Sequence, residues 1–175
     1  MNFMDVIYND TGNAKGISTV LFVSGCTNNC SECHNPQSHD FLAGSEYTKE
    51  VEDKIIESLK NPHVRNLVIS GGDPCHPNNF ETVKALIRRT HLETNARVII
   101  YTGYEVIENS ELASELYNVL AEYDLIIDGP YMKEKKTKIR DYRGSTNQRA
   151  ILVEKYEGRV RIIHDYFLED LQVVK

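Results

Sequence analysis

The chain alternates short apolar runs with longer segments in which apolar residues recur every three or four positions. Four apolar runs, each closed by a glycine-containing turn, are typical of buried strands, and they cover residues 19–24, 66–70, 97–101 and 124–128. A further strand is expected near residues 160–163. Continuously apolar strands separated by helices indicate βα units and a parallel sheet.

Helical periodicity fills the intervals between these runs. A first helix is expected with Thr48 as its cap and an end at Asn61, directly before a proline. A second helix is expected from Asn78 or Asn79, and a third carries Leu112 and Leu116 on one face. The strands are too few for a closed eight-stranded barrel. The sequence therefore predicts an α/β fold, an open or incomplete (β/α) barrel with a mostly parallel sheet.

Length and charge narrow the possible functions. A chain of 175 residues suits one domain, with a core at about 16–150 and a C-terminal strand or tail at 151–175. Its 26 acidic and 20 basic residues give a net charge of −6, which argues against direct nucleic-acid binding through phosphates. We expect no membrane span and no secretory signal, so we expect a cytoplasmic protein with reduced thiols.

Clustered cysteines are the main chemical signal. Cys26, Cys30 and Cys33 follow the first strand with the spacing C-x3-C-x2-C, and Cys75 lies far from them in sequence. Thiolates are suited to zinc or to iron–sulfur centres. Zinc would need a fourth ligand, for which His34 or Cys75 is available. Three thiolates on a cubane would instead leave one iron open to bind a substrate.

Three residue sets stand where predicted strands end, at residues 25–26, 70–73 and 101–104. In parallel α/β sheets, ligands bind where strands end and loops begin. We therefore expect the cysteine loop and the glycine-rich turn at Gly71 and Gly72 to lie on one rim of the sheet.

The ordered motifs resemble the radical S-adenosylmethionine superfamily and, within it, the activating proteins of anaerobic (class III) ribonucleotide reductases. The segments that carry the resemblance are FVSGC at 22–26, CHNP at 33–36, SGGDP at 70–74, YTGY at 101–104, DGPY at 128–131 and RGSTNQR at 143–149. They span about residues 16–150, most of the chain.

The resemblance implies a radical S-adenosylmethionine oxidoreductase, a glycyl-radical enzyme activating enzyme (EC 1.97.1.-). Cys26, Cys30 and Cys33 would hold three irons of a [4Fe-4S] cluster, and the fourth iron would chelate S-adenosylmethionine. Reductive cleavage would give methionine and a 5′-deoxyadenosyl radical, which would take a hydrogen from a glycine of the reductase. The implied partners are the large catalytic subunit of that reductase and a low-potential electron donor such as a flavodoxin.

The resemblance also assigns cosubstrate contacts. The turn of Gly71, Gly72 and Asp73 would receive the methionine ammonium group, and Asp73 would act as an acceptor or fix the loop. The segment of Glu32, Cys33 and His34 would lie against the adenine. No side chain needs to act as an acid or base, so none is assigned as catalytic.

Several interpretations stay open at this point. The target could be another glycyl-radical enzyme, or the cysteines could form a zinc-binding interaction module or a small electron-transfer centre. Cys75 is expected to be a spectator near the site. Residues 133–143 carry six basic and two acidic residues and are either a solvated loop or a docking surface for the reductase.

Overall fold

A single mixed sheet, flanked by three helices, organises the part of the chain that the structure describes. The structure is a computed structural model that describes residues 1–137, 142–156 and 159–163. Parts of the basic stretch at 133–143 and of the tail at 151–175 therefore lie outside the described residues. The strands are β1 Asn2–Asp10, β2 Ile17–Val23, β3 Ser45–Glu46, β4 Val64–Gly71, β5 Arg97–Tyr101, β6 Leu125–Asp128, β7 Arg149–Tyr156 and β8 Arg159–Ile163. The helices are α1 Lys49–Leu59, α2 Pro77–Glu93 and α3 Ser110–Val119, with short 3-10 helices at Pro36–Ser38 and Lys133–Lys135.

The centre of the sheet is parallel and its flanks are antiparallel. The strand order is β3-β1-β2-β4-β5-β6-β7-β8, in which β2, β4, β5 and β6 run parallel. The pairs β1–β2, β1–β3, β6–β7 and β7–β8 are antiparallel. Since α1, α2 and α3 connect the four parallel strands in turn, the predicted βα units and the mostly parallel centre are confirmed.

The helices pack against one face of the sheet, and the apolar side chains of the other face form a second buried layer. The first layer joins α1, α2 and α3 to alternate strand residues, among them Leu21, Leu67, Ile69, Val98, Ile100 and Ile126. The second layer contains the intervening residues Val20, Val68, Ile99, Leu125 and Ile127. Both faces of the central strands are therefore buried, which explains why these strands are continuously apolar in sequence.

Two local expectations differ from the structure. Helix α2 begins at Pro77 rather than at Asn78 or Asn79, because the His76 side chain accepts a hydrogen bond from the Asn78 N–H and caps the helix. Proline is favoured at the first helical position, where its missing N–H costs nothing. The sequence analysis also does not predict β1, β3 or β7. Strand β1 precedes the expected core of residues 16–150 and pairs with β2.

In the ranges that the structure describes, no helix is both long enough and apolar enough to cross a bilayer.

Candidate functional site

One cavity of about 760 Å³ opens at the carboxyl ends of the central parallel strands. Its wall combines the cysteine loop that follows β2 with the turns that follow β4, β5 and β6. The structure thus brings together the three residue sets that stand at strand ends in the sequence. A volume of this size falls within the range of ordinary small-molecule sites.

The cysteine loop turns its three half-buried thiols towards this cavity. The Cys26 Sγ accepts a hydrogen bond from the Asn28 N–H at 3.5 Å, and the Cys33 Sγ accepts one from the Asn35 N–H at 3.4 Å. Burial raises the pKa of the Cys26 thiol, and the Asn28 N–H opposes that rise. Backbone donors of this kind stabilise thiolates that bind iron. The donor set therefore fits a thiolate-bound metal cluster.

The glycine turn after β4 packs directly against the beginning of the cysteine loop. The Gly72 N–H donates to the Val23 carbonyl at 2.7 Å, and the Asp73 N–H donates to the Gly25 carbonyl at 2.8 Å. A Cβ at Gly72 would lie 2.5 Å from the Gly25 oxygen, closer than real Cβ atoms approach. The absence of a side chain at Gly72 is therefore what lets these two loops touch.

Asp73 joins the three loops through its side chain. Its Oδ1 accepts hydrogen bonds from the Cys75 N–H at 2.9 Å and from the Thr102 hydroxyl at 2.8 Å. Its Oδ2 accepts from the Asn28 side-chain amide at 2.8 Å and from the Gly103 N–H at 3.0 Å. Burial raises the pKa of the Asp73 carboxyl, and these four donors oppose the rise. Because a carboxylate offers about four acceptor positions, the side chain is fully used within the protein.

Asn79 is a structural residue of the site that the sequence reading took only as a possible helix start. Its buried side-chain amide donates to the carbonyls of Ser24 at 2.9 Å and Asp73 at 3.0 Å, with a longer contact to the Gly25 carbonyl at 3.4 Å. It therefore ties the first turn of α2 to both loops. A signal was present in the sequence, because Asn79 is a polar residue on the helix face that also carries Val83.

The segment after β6 also contacts the cysteine loop. The Tyr131 ring lies 5.2 Å from the His34 ring, and both side chains line the cavity. Lys133 pairs with the carboxylate of Glu32, and both side chains are largely exposed. Every predicted site residue except Glu32 lines the cavity, namely Cys26, Cys30, Cys33, His34, Gly71, Gly72 and Asp73. Glu32 instead has a left-handed backbone (φ 54°) and turns its side chain towards Lys133.

Cys75 lies apart from the other three cysteines. Its side chain is 4% exposed and packs in the apolar layer between the sheet and the helices. Burial raises the pKa of this thiol well above its usual value. Within residues 1–137, 142–156 and 159–163, no three His, Cys, Asp or Glu side chains are arranged around a single metal ion. A [4Fe-4S] cluster does not require such a set, since each thiolate binds a different iron.

Comparisons with known proteins agree with one another over most of the chain. The family model of a 4Fe-4S single cluster domain matches residues 12–151. The chain is 36% identical over 151 residues to the anaerobic ribonucleoside-triphosphate reductase-activating protein of Vibrio cholerae serotype O1, covering 85% of this chain and 96% of that protein. Proteins of the same name from Haemophilus influenzae and Enterobacteria phage T4 are 36% and 31% identical, each over 85% of this chain and over 96% and 92% of their own lengths. The chain therefore belongs to the family of anaerobic ribonucleoside-triphosphate reductase-activating proteins and carries its 4Fe-4S single cluster domain.

Proposed function

We propose that this protein activates an anaerobic ribonucleotide reductase by generating its glycyl radical from S-adenosylmethionine. The observation that carries the proposal is the convergence of Cys26, Cys30 and Cys33 on a cavity that also receives the glycine turn. When bound, a reduced [4Fe-4S] cluster supplies the electron that cleaves S-adenosylmethionine to methionine and a 5′-deoxyadenosyl radical. The chain itself would bind and orient the cluster and S-adenosylmethionine, and it would exclude water from them.

The three cavity cysteines would hold three irons of the cluster and leave the fourth for the cosubstrate. Their position supports this assignment, and so does the burial of Cys75 in the helix-side layer. An electron carrier with four cysteine ligands would need Cys75 to leave that core. A zinc module, with either His34 or Cys75 as its fourth ligand, would need at least three ligands around one ion, and no three His, Cys, Asp or Glu side chains of the described residues are arranged in that way. We therefore favour the open-iron arrangement over both rivals.

The methionine end of S-adenosylmethionine would bind at Gly71, Gly72 and Asp73. The Asp73 carboxylate is already bonded to four donors, so we assign it to fixing the turn. The ammonium group would then meet backbone carbonyls of this turn.

The adenine would lie against the backbone of Glu32, Cys33 and His34. The paired rings of His34 and Tyr131 support this assignment, because they add an aromatic surface on the same wall.

We also propose the finer features that accompany this function. The fold would be one radical S-adenosylmethionine domain, an incomplete (β/α) barrel with its helices outside and the second apolar layer inside. The large catalytic subunit of the reductase would cover the open side and present its glycine. A low-potential carrier such as a flavodoxin would deliver the electron, and the reaction would take place in the cytoplasm.

An anaerobic reconstitution tests the proposal. The protein is loaded with iron and sulfide, reduced, and mixed with S-adenosylmethionine, and the product is analysed for 5′-deoxyadenosine. Addition of the reductase subunit should then give a glycyl-radical doublet in the EPR spectrum. A Cys30→Ser variant serves as the matched negative control. Full iron loading without nucleoside product would contradict the proposal.

A further inference from the structure

We propose that Asn28 is a positioning residue that sets the electronic environment of the cluster by fixing the hydrogen bond to the Cys26 sulfur. Asn28 lies between two of the proposed iron ligands, and no role follows for it from the cysteine spacing. The inference deepens the proposed function and rests on it.

Asn28 connects the cysteine loop to two other loops at once. Its side-chain amide donates to the Asp73 Oδ2 at 2.8 Å, and its backbone N–H donates to the Cys26 Sγ at 3.5 Å. A Cβ at Gly103 would fall 2.1 Å from the Asn28 Nδ2, so the amide lies directly on the Gly103 backbone. The side chain is thus held by the turn after β4 and packed against the turn after β5.

The anchor at the far end of Asn28 is rigid. Asp73 is 1% exposed, and the Thr102 hydroxyl and the Cys75 N–H hold its other oxygen. The bond from the Asn28 side chain to this buried carboxylate therefore fixes the backbone of the cysteine loop, which is polar and partly exposed. Without it, the Asn28 N–H would lose the constraint that directs it at the sulfur.

Hydrogen bonds to cluster sulfurs withdraw electron density and stabilise the reduced state, which raises the reduction potential. Weakening the hydrogen bond from the Asn28 N–H to the Cys26 sulfur should therefore make the cluster harder to reduce. The three thiolates that would hold the cluster are unchanged. Because the hydrogen bond from Asn28 to Asp73 is one of the contacts between the cysteine loop and the glycine turn, the KM for S-adenosylmethionine should rise as well.

The test compares Asn28→Ala with Ser31→Ala in the full chain. Ser31 is exposed in the same loop, and in the described ranges it makes no side-chain hydrogen bond, so its variant controls for the loss of a polar group. Each protein is reconstituted anaerobically, its iron content is measured, and its midpoint potential is determined by an EPR-monitored titration. We expect Asn28→Ala to retain its iron, to shift to a more negative potential and to raise KM, whereas Ser31→Ala matches the wild type.

A second variant acts on the same link without altering the cysteine loop. Thr102→Val removes one donor to Asp73 and should shift the potential in the same direction by a smaller amount. If Asn28→Ala fails to load iron, the midpoint potential of Thr102→Val tests the inference instead. A wild-type potential in that variant overturns the inference. An unshifted potential in Asn28→Ala, or an equal shift in Ser31→Ala, overturns it too. A wild-type protein that binds no cluster overturns the proposed function itself, so the two failures are distinct.

Discussion

Replacing Gly72 with alanine tests the contact on which the geometry of the site depends. The new Cβ would lie 2.5 Å from the Gly25 oxygen and 2.9 Å from the Gly25 nitrogen and carbonyl carbon. These are backbone atoms, so no flexible side chain can move aside. The cysteine loop or the glycine turn must shift by about half an ångström to reach the 3.0 Å limit of real contacts.

The cost of Gly72→Ala follows from two effects. Overpacking of a closely packed region costs about 1–3 kcal/mol. The shift also strains the bonds from the Gly72 N–H to Val23 and from the Asp73 N–H to Gly25, each worth about 1 kcal/mol. We expect the free energy of unfolding to fall by about 2–4 kcal/mol, a large part of the 5–15 kcal/mol typical of a domain.

Urea denaturation of the metal-free protein measures this change, with Gly12→Ala as the matched control. Gly12 also lines the cavity, but a Cβ there would lie 3.7 Å from the Asp10 Oδ1, an ordinary contact. The control should therefore be neutral or more stable by up to about 1 kcal/mol, because alanine restricts the unfolded chain. If Gly72→Ala unfolds within about 0.5 kcal/mol of the wild type, the loops are not held together as described.

Three further outcomes are expected. Cys75→Ser should keep its full iron content while losing about 1–3 kcal/mol of stability for a buried hydroxyl, and loss of iron would make Cys75 a ligand. Arg149→Met should cost about 3–5 kcal/mol in urea denaturation, because the buried Asp128 carboxylate loses its paired charge. Burial and a nearby carboxylate raise the pKa of Tyr47, so above pH 10 the unfolded chain releases a proton that the folded chain keeps. Stability should therefore fall as pH rises through 10, and Tyr47→Phe should flatten that slope; an unchanged slope would contradict this.

The central strands could be predicted from sequence because both of their faces are buried. Residues 97–101 form β5 with the expected bounds, and β2, β4 and β6 lie within two residues of theirs. Strand β1 could not be predicted in the same way, because it lies on the antiparallel flank and none of its residues is buried. Its apolar and polar residues neither alternate cleanly nor form a continuous run, so the sequence carries no strong strand signal there.

For the candidate site, the meeting of the loops could be predicted from the sequence, whereas the side-chain contacts between them could not. Parallel strands place their carboxyl ends together, so the meeting of Cys26 with Gly71 and Gly72 follows from the βα pattern alone. The hydrogen bonds that Asp73 accepts do not follow from it, because they depend on side-chain directions that only the folded loops determine. The sequence therefore leaves Asp73 either as an acceptor for the cosubstrate or as a residue that fixes the turn, and its four internal donors support the second role. A carboxylate in a glycine-rich turn at a strand end is consequently compatible in sequence with either a cosubstrate ligand or a residue that fixes the turn, and only its hydrogen-bond donors in the folded protein distinguish the two.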